Sequence, residues 1–421
     1  MLYLLTLSAI IFSSCSKEED NFRPTITVTS PSPSLVIQTP DTIIVKASIK
    51  DDHTIETVHV YLEDEQGNPV LSTISANPNT GSYELAEPFY FNDLHLPSGY
   101  YYFKFRAYDG KNTATETIKV IVNEATKTRN GIFLADDAGG TNNIYLLDNA
   151  FQASNYNSYP GNFLSMAVNS YHQRLMVVPG TTGNYISVDL NSGNPSWTSS
   201  PSNSVTGFIT DQNYSYLGFS NGDIKRYNTS GASNFHGSAN PGYYVEAAAI
   251  HDDYLVCEEQ AISSSDVQLV LRWLASGATA QQASINEDIL GIYTRDPNTL
   301  ILITNNSSAL GNLIFYDIST GLTSSPFAIN TAKIDACTEI SEGQYLVAEN
   351  GDLTLINANN FSTLTYLTGI PATLLQYDEL TNELWVANGN QLSIYNYPTK
   401  TLKGSYTHSS TMKGLDFWYN K

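Results

Sequence analysis

From Gly131 to Lys421 one unit of roughly forty residues recurs, and this recurrence restricts the chain to a small set of repeat architectures. Three copies define it: "VTGFITDQNYSYLGFSNGDIKRYNTSG" from Val205, "KIDACTEISEGQYLVAENGDLTLINANN" from Lys333 and "ATLLQYDELTNELWVANGNQLSIYNYPTK" from Ala372. Each contains an apolar strand, a polar turn, a second strand ending near Asn-Gly, a third strand ending on Asn or Asp, and a more variable fourth segment. Four short strands in a period of this length describe a propeller blade and not a helical repeat.

First-strand segments begin near Phe163, Val205, Tyr244, Ile289, Lys333, Ala372 and Thr411. The unit opening at Gly131 lacks its first strand: "GIFLADD" and "NNIYLLDN" match the second and third. The last segment, "TMKGLDFWYN", is a first strand with no successors. Joining the two would close seven blades and hide two sheet edges that would otherwise invite aggregation. The third strands end on Asp148, Asp189, Asn228, Asp317, Asn357 and Asn396, side chains that accept backbone N–H bonds in the following turn. Gly222, Gly351 and Gly389 fall in turns between second and third strands, where positive φ is useful. With these features, residues 131–421 resemble the YVTN and NHL-like propellers. The family tetrapeptides are absent, so the resemblance implies a fold and no particular activity.

Residues 23–124 follow another pattern. "TITVTSPS", "DTIIVKASIKD", "IETVHVYLEDEQGNPV", "GSYELAEPFYF" and "GYYYFKFRAYDGKNTATETIKVIVNE" are alternating or β-branched strands separated by Pro, Gly and Asn turns. Strands that bury one face require two packed sheets, so a sandwich of about seven strands is expected. Through Asp51–Val60 and the closing "YDGKNTATETIKVIV", the segment resembles the immunoglobulin-like domains of bacterial surface proteins, though without a core Cys pair. Asp51, Asp52, Glu63, Asp64, Glu65 and Asp109 offer oxygens that suit calcium, but no loop has a recognised ligand spacing. Ordinary acidic turns are the expectation here, with no cofactor. Residues 125–130 make a short polar hinge. The expected fold is therefore all-β, an immunoglobulin-like β-sandwich followed by a seven-bladed β-propeller closed by the C-terminal strand.

Residues 1–14, "MLYLLTLSAIIFSS", form an apolar run too short to span a bilayer, and end in small residues just before Cys15. The positive n-region of a signal peptide is missing, which points to a late start codon or an atypical signal; a buried strand is the plain alternative. "SSC" resembles the lipobox of bacterial lipoproteins, in which the Cys thiol is acylated and becomes the new amino terminus. "SKEED" behind it resembles the lipoprotein export signal of Bacteroidota. These resemblances imply a signal peptide at 1–14, a lipidated tether at 15–22, and an outer-membrane lipoprotein, surface-exposed and held in lipid through acylated Cys15. Lys17–Asp20 would equally serve as a solvated linker.

Twenty Lys and Arg against 41 Asp and Glu, a net charge of −21, would repel a phosphate backbone, so nucleic acid is not an expected partner. Cys257 and Cys337 occupy apolar strands of non-adjacent blades, with no metal-ligand spacing around either. The sequence contains no His-x-x-x-His pair, phosphate-binding Gly-Lys motif or Gly-x-Ser-x-Gly elbow. Its seven histidines are scattered, most of them in polar turns. Glu246, Glu287, Asp288, Asp335 and Glu339 could form an acidic channel mouth, as glycoside hydrolysis would need, although solvated strand ends explain them equally well. Loops entering the first strands carry Tyr156, Tyr159, Tyr243, Tyr244, Glu287 and Asp288. The tyrosine rings among them suit a sugar face or a protein. Candidate ligand-binding residues are Tyr243, Tyr244, Tyr159, Glu287 and Asp288, while Trp273 and Trp385 are expected in the core. The leading expectation is a cell-surface lipoprotein for noncovalent recognition of carbohydrate, or of a nutrient-uptake or envelope protein. The alternatives are an extracellular glycan-active hydrolase or lyase, and an adhesion or scaffold protein without a small ligand.

Overall fold

The computed structural model describes residues 22–325 and 332–421. The expected signal peptide at 1–14 and the acylated Cys15 lie outside the described residues. Two compact units meet in sequence at Thr126 and Lys127.

Alternation builds the first unit. Along the strand Asp41–Ile55, Val45, Ala47 and Ile49 turn inward while Lys46 and Lys50 stay exposed. Along Gly99–Tyr108, Tyr101, Phe103, Phe105 and Ala107 do the same. The two apolar faces share one core, in which Phe89 meets Phe103 edge-on at 4.9 Å. One sheet has three strands, ordered Thr25–Ser30, Asp41–Ile55, Thr80–Phe91. The other has five, ordered Val36–Gln38, Thr113–Asn123, Gly99–Tyr108, Thr57–Glu63, Ile74–Ala76. The sandwich has eight strands against about seven expected, and the two at the edges of the five-stranded sheet have three residues each, too short to leave a period in the sequence.

The second unit is built of four-stranded antiparallel arrangements, five of them separate sheets and two more joined as one seven-stranded sheet, among the described residues. Five of them are simple meanders, beginning at Val205, Tyr243, Asp288, Ile334 and Leu374. The first two share the long strand Ala153–Asn169, whose residues up to Pro160 pair with Thr141–Leu147 and whose remainder pairs with Arg174–Gly183. Gly161 makes this crossing possible: its φ is +129°, and a Cβ there would lie 2.4 Å from the Thr182 carbonyl oxygen. Inner strands pack in succession, 153–169 on 205–210, then on through 243–251, 288–296, 334–341 and 374–378 to 412–419, which returns to 153–169.

That return depends on the last strand. Met412–Tyr419 pairs antiparallel with Arg129–Asp137, so the chain's end supplies the inner strand that its beginning lacks. The second unit thus starts its sheet at Arg129, within the stretch expected to be hinge. Arg129 reaches the seventh sheet, donating at 2.6 Å to both Asp378 and Glu383 and at 3.2 Å to Thr381. The Tyr419 hydroxyl donates to the other Asp378 oxygen at 2.8 Å, and Lys403 pairs with Glu383. At the far end of the seam, His408 Nε2 lies 2.7 Å from Asp136, whose same oxygen accepts the Ser410 hydroxyl. Burial opposes the charge of Asp136, but bonds from Ser410, Asn143 and His408 outweigh it and hold the carboxyl below its usual range.

Side chains closing the third strands act as expected: Asp148 accepts the Ala150 and Gln152 N–H groups, and Asn228 those of Ser230 and Ala232. Gly222, Gly351 and Gly389 adopt positive φ. Trp385 is fully buried, whereas Trp273, expected in the core, is 41% exposed. It is the last residue of its strand and faces outward, lying against Tyr254 with ring centres 4.5 Å apart. The histidines also depart from expectation, since His236, His251 and His408 are buried. His236 is held neutral, its pKa lowered to about 4 by burial and then by Arg226 and Arg272. Cys257 and Cys337 are free thiols, in the fourth and sixth sheets.

The seam makes Arg129 a strong determinant of stability. Arg129→Ala would leave Asp378 and Glu383 buried without their shared cation, and is expected to cost about 3–5 kcal/mol. Denaturant unfolding of the variant against the wild type measures this directly.

Candidate functional site

Where the C-terminal ends of several inner strands converge they surround a cavity of about 650 Å³. Tyr377 and Tyr419 supply its aromatic lining. Five carboxylates, Asp252, Asp296, Glu339, Glu342 and Glu379, line it against two cations, Lys127 and Arg295. Lys127 lies over the Tyr419 ring at 4.3 Å, and Arg295 over Phe315 at 4.8 Å, so both cations are partly engaged. Burial, then the neighbouring charge of Glu342, raises the pKa of Glu339. His251 is fixed at both ring nitrogens, by Thr294 Oγ1 at 2.8 Å and the Pro297 carbonyl at 3.2 Å, and so ties the fourth sheet to the fifth.

A second group forms toward the opposite ends of the same strands. Glu258 is 2% exposed, and its Oε1 accepts the Ile289 N–H at 3.3 Å. Burial above all, with the charges of Glu246 and Asp288, pushes its carboxyl up to about 8 despite that bond. Glu246 is raised too, by burial and then Asp288, and the phenol of Tyr244 by burial and then Glu246 and Glu258. A buried carboxyl thus keeps its proton well above the ordinary carboxylate range through loss of water and the neighbouring acidic groups. Glu259, the next residue along the strand, faces the other way and pairs with Arg272.

The structure distributes the sequence candidates unevenly. Tyr244 and Asp288 belong to the group around Glu258. Asp288 also lines, with Glu287, Asn305 and Gln260, a smaller cavity of about 230 Å³. Glu287 is occupied structurally, accepting the Asn312 amide at 3.1 Å and the Thr304 hydroxyl. Tyr243 packs on the core around Tyr216 and Ile224. Tyr159 is buried with Phe133 and Met166, its phenol pushed up to about 12 by burial, so it offers a ligand no open face. The suspected acidic mouth divides in two, Glu246 and Asp288 at one end and Glu339 at the other. Glu258 went unnoticed, yet two consecutive glutamates inside the apolar "YLVCEEQ" were a readable signal, because a strand covered on both faces buries both of them. The cavity formed by Lys127, Tyr377 and Tyr419 left no such signal; its residues come from sequence-distant strand ends.

Among the described residues, Asp51, Asp52 and His53 of the first unit form a cluster whose potential ligand atoms lie within 4.8 Å of one another. Glu63, Asp64 and Glu65 are not part of it, and Asp64 closes its own turn by accepting the Gln66 and Asn68 N–H groups.

Residues 24–120 match the family model of a bacterial Ig domain. No curated protein matches the chain in sequence. Among solved structures, hydrazine synthase of Kuenenia stuttgartiensis is similar with 10% identity over 66% of this chain and 93% of that one, at a TM-score of 0.51. A chain of the mitotic checkpoint complex is similar with 15% identity over 69% of this chain and 87% of that one, at 0.50. At such identities the likeness is one of fold, repeated four-stranded antiparallel sheets of the propeller type.

Glu258 gives the site a measurable pH signature. With a folded pKa near 8 against an ordinary 4.5, its contribution to stability is complete below the lower value and is lost as pH rises through the upper. Glu258→Gln keeps the neutral shape, so its melting temperature should overtake that of the wild type progressively between about pH 5 and pH 8. A gap that does not change with pH would show that Glu258 is ionised throughout this range.

Proposed function

We propose that the second unit is a seven-bladed propeller, closed by Met412–Tyr419, used for noncovalent recognition of carbohydrate or of a surface-protein partner, on a lipid-anchored protein of the outer membrane. The observation that carries the recognition reading is the open cavity of about 650 Å³ where the inner strands converge. Tyr377 and Tyr419 supply flat apolar area with polar edges, and the surrounding carboxylates accept hydrogen bonds from hydroxyl or amino groups. A neutral or amino sugar offers both kinds of surface, and so does a basic protein loop. The excess of carboxylates disfavours anionic ligands. The lipid anchor rests on the "SSC" and "SKEED" sequence resemblances.

A second reading, a glycan-active hydrolase or lyase, has one specific observation in its favour. Glu258, held neutral beside Glu246 and Asp288, has the protonation required of a general acid next to a carboxylate. An adhesion or scaffolding role requires neither group.

The three readings separate on a glycan array probed with the fragment beginning at Asn21, with the glycans examined for cleavage afterwards. Recognition predicts retention of intact glycan that falls about tenfold or more in Tyr377→Ala and Tyr419→Ala. Cleavage lost in Glu258→Gln would replace it with the enzymatic reading, and a wild type that neither retains nor cleaves would leave a protein partner or scaffold.

A further inference from the structure

We propose that the second unit holds a site for a small ligand carrying a protonated primary amine on a polar body, of the amino-sugar class, with Glu258 as the partner of the ammonium. The site lies where the inner strands Tyr243–His251 and Asp288–Asp296 begin. It is separate from the cavity around Tyr377 and Tyr419 and does not depend on it.

Two neighbouring sheets place Glu258. Its Oε1 accepts the Ile289 N–H at 3.3 Å, which sets the carboxyl beside Asp288, the first residue of the next inner strand. In its own sheet Glu258 stands opposite Ala247, where the register slips between Val245 and Ala247 and leaves Glu246 as an extra residue. Such a bulge re-aims a side chain, and Glu246 and Asp288 are both exposed. Glu258 itself is 2% exposed, yet its Oε2 receives no hydrogen bond among the described residues, and no cation offsets its burial. A carboxyl withdrawn from water in this way is completed by a charged donor. Among the described residues, Asp51, Asp52 and His53 alone gather three potential metal ligands within 4.8 Å. Glu246, Glu258 and Asp288 are set wider than that, which suits an organic ammonium with three N–H donors better than a bare ion.

The body of the ligand has a place as well. Asp288 lines the cavity of about 230 Å³ together with Gln260, Asn286, Asn306 and Ser265, amides and a hydroxyl that suit the hydroxyl groups of one sugar ring. Tyr244 stands cross-strand from Gln260. The charged groups that face Glu258 are Glu246 and Asp288, with the phenol of Tyr244 beside them, whereas Glu259 turns away to Arg272. An ammonium favours the ionised carboxyl, so the amine displaces the Glu258 proton to solvent as it binds. Because that proton is held up to about 8, binding tightens as pH rises toward this value.

Calorimetric titration of the chain with glucosamine tests this, N-acetylglucosamine supplying the same body without the charge. The expected result is saturable binding of glucosamine that tightens about fivefold to tenfold from pH 6 to pH 7. It weakens about tenfold or more in Glu258→Gln and in Asp288→Asn, and is unchanged in Tyr377→Ala. Glutamine keeps the shape of the protonated carboxyl, so Glu258→Gln is expected to fold, and circular dichroism checks both site variants. The proposal is overturned if glucosamine does not bind up to about 50 mM, or if N-acetylglucosamine binds as tightly. Binding lost in Tyr377→Ala and kept in Glu258→Gln would likewise overturn it, assigning the amine to the other cavity.

Discussion

The second unit depends on one pairing. Six sheets are complete along their own stretch of chain or share a neighbouring strand; the remaining one takes its inner strand from the last residues, Met412–Tyr419 on Arg129–Asp137. Without it, both ends of the stack would present unpaired edges to water. The side chains at the seam suit the task. Arg129 neutralises two carboxylates of the seventh sheet, Tyr419 bonds one of them, and His408 and Ser410 meet Asp136 at the other end. Buried ion pairs contribute less net stability than their short distances suggest, because both partners lose water. Their loss is nevertheless costly, and this ties the register of closure to a few residues.

Convergence of the inner strands gives the molecule two distinct chemical environments from the same elements. At their C-terminal ends carboxylates, two tyrosines and two partly engaged cations surround an open cavity. Toward their N-terminal ends Glu258 is withdrawn from water, and its neighbours Glu246 and Asp288 deepen the effect. Withdrawal from water without a compensating cation or strong donor set keeps the Glu258 proton, whereas buried Asp136, with its bonds from Ser410, Asn143 and His408, stays ionised. Both environments follow from strand direction, since every inner strand delivers its first residues to one end and its last to the other.

In the first unit the same physics appears on a smaller scale. Asp64 and Asp109 both close turns by accepting backbone N–H groups, and in sequence they look alike. They differ in what surrounds the second oxygen. That of Asp64 accepts the Asn68 side chain at the surface, while that of Asp109 is buried without a donor.

Periodicity determined most of the architecture. The forty-residue unit, the alternation in strands such as "DTIIVKASIK", the Asp or Asn closing six of the third strands, and the matching halves at Gly131 and Thr411 were all legible, because each is a local consequence of backbone geometry and hydrogen bonding. The short edge strands Val36–Gln38 and Ile74–Ala76 were not legible, since three residues carry no period. Nor was the outward face of Trp273, which depends on its place at a strand end. Tyr159 and Tyr377 illustrate the limit for the site: both are strand tyrosines, and only the packing of neighbouring sheets buries the first and leaves the second lining the cavity. Local chemistry can be read along a chain, but burial and the convergence of distant side chains are set by how the sheets pack, and these decide which carboxylates, tyrosines and histidines are free to act.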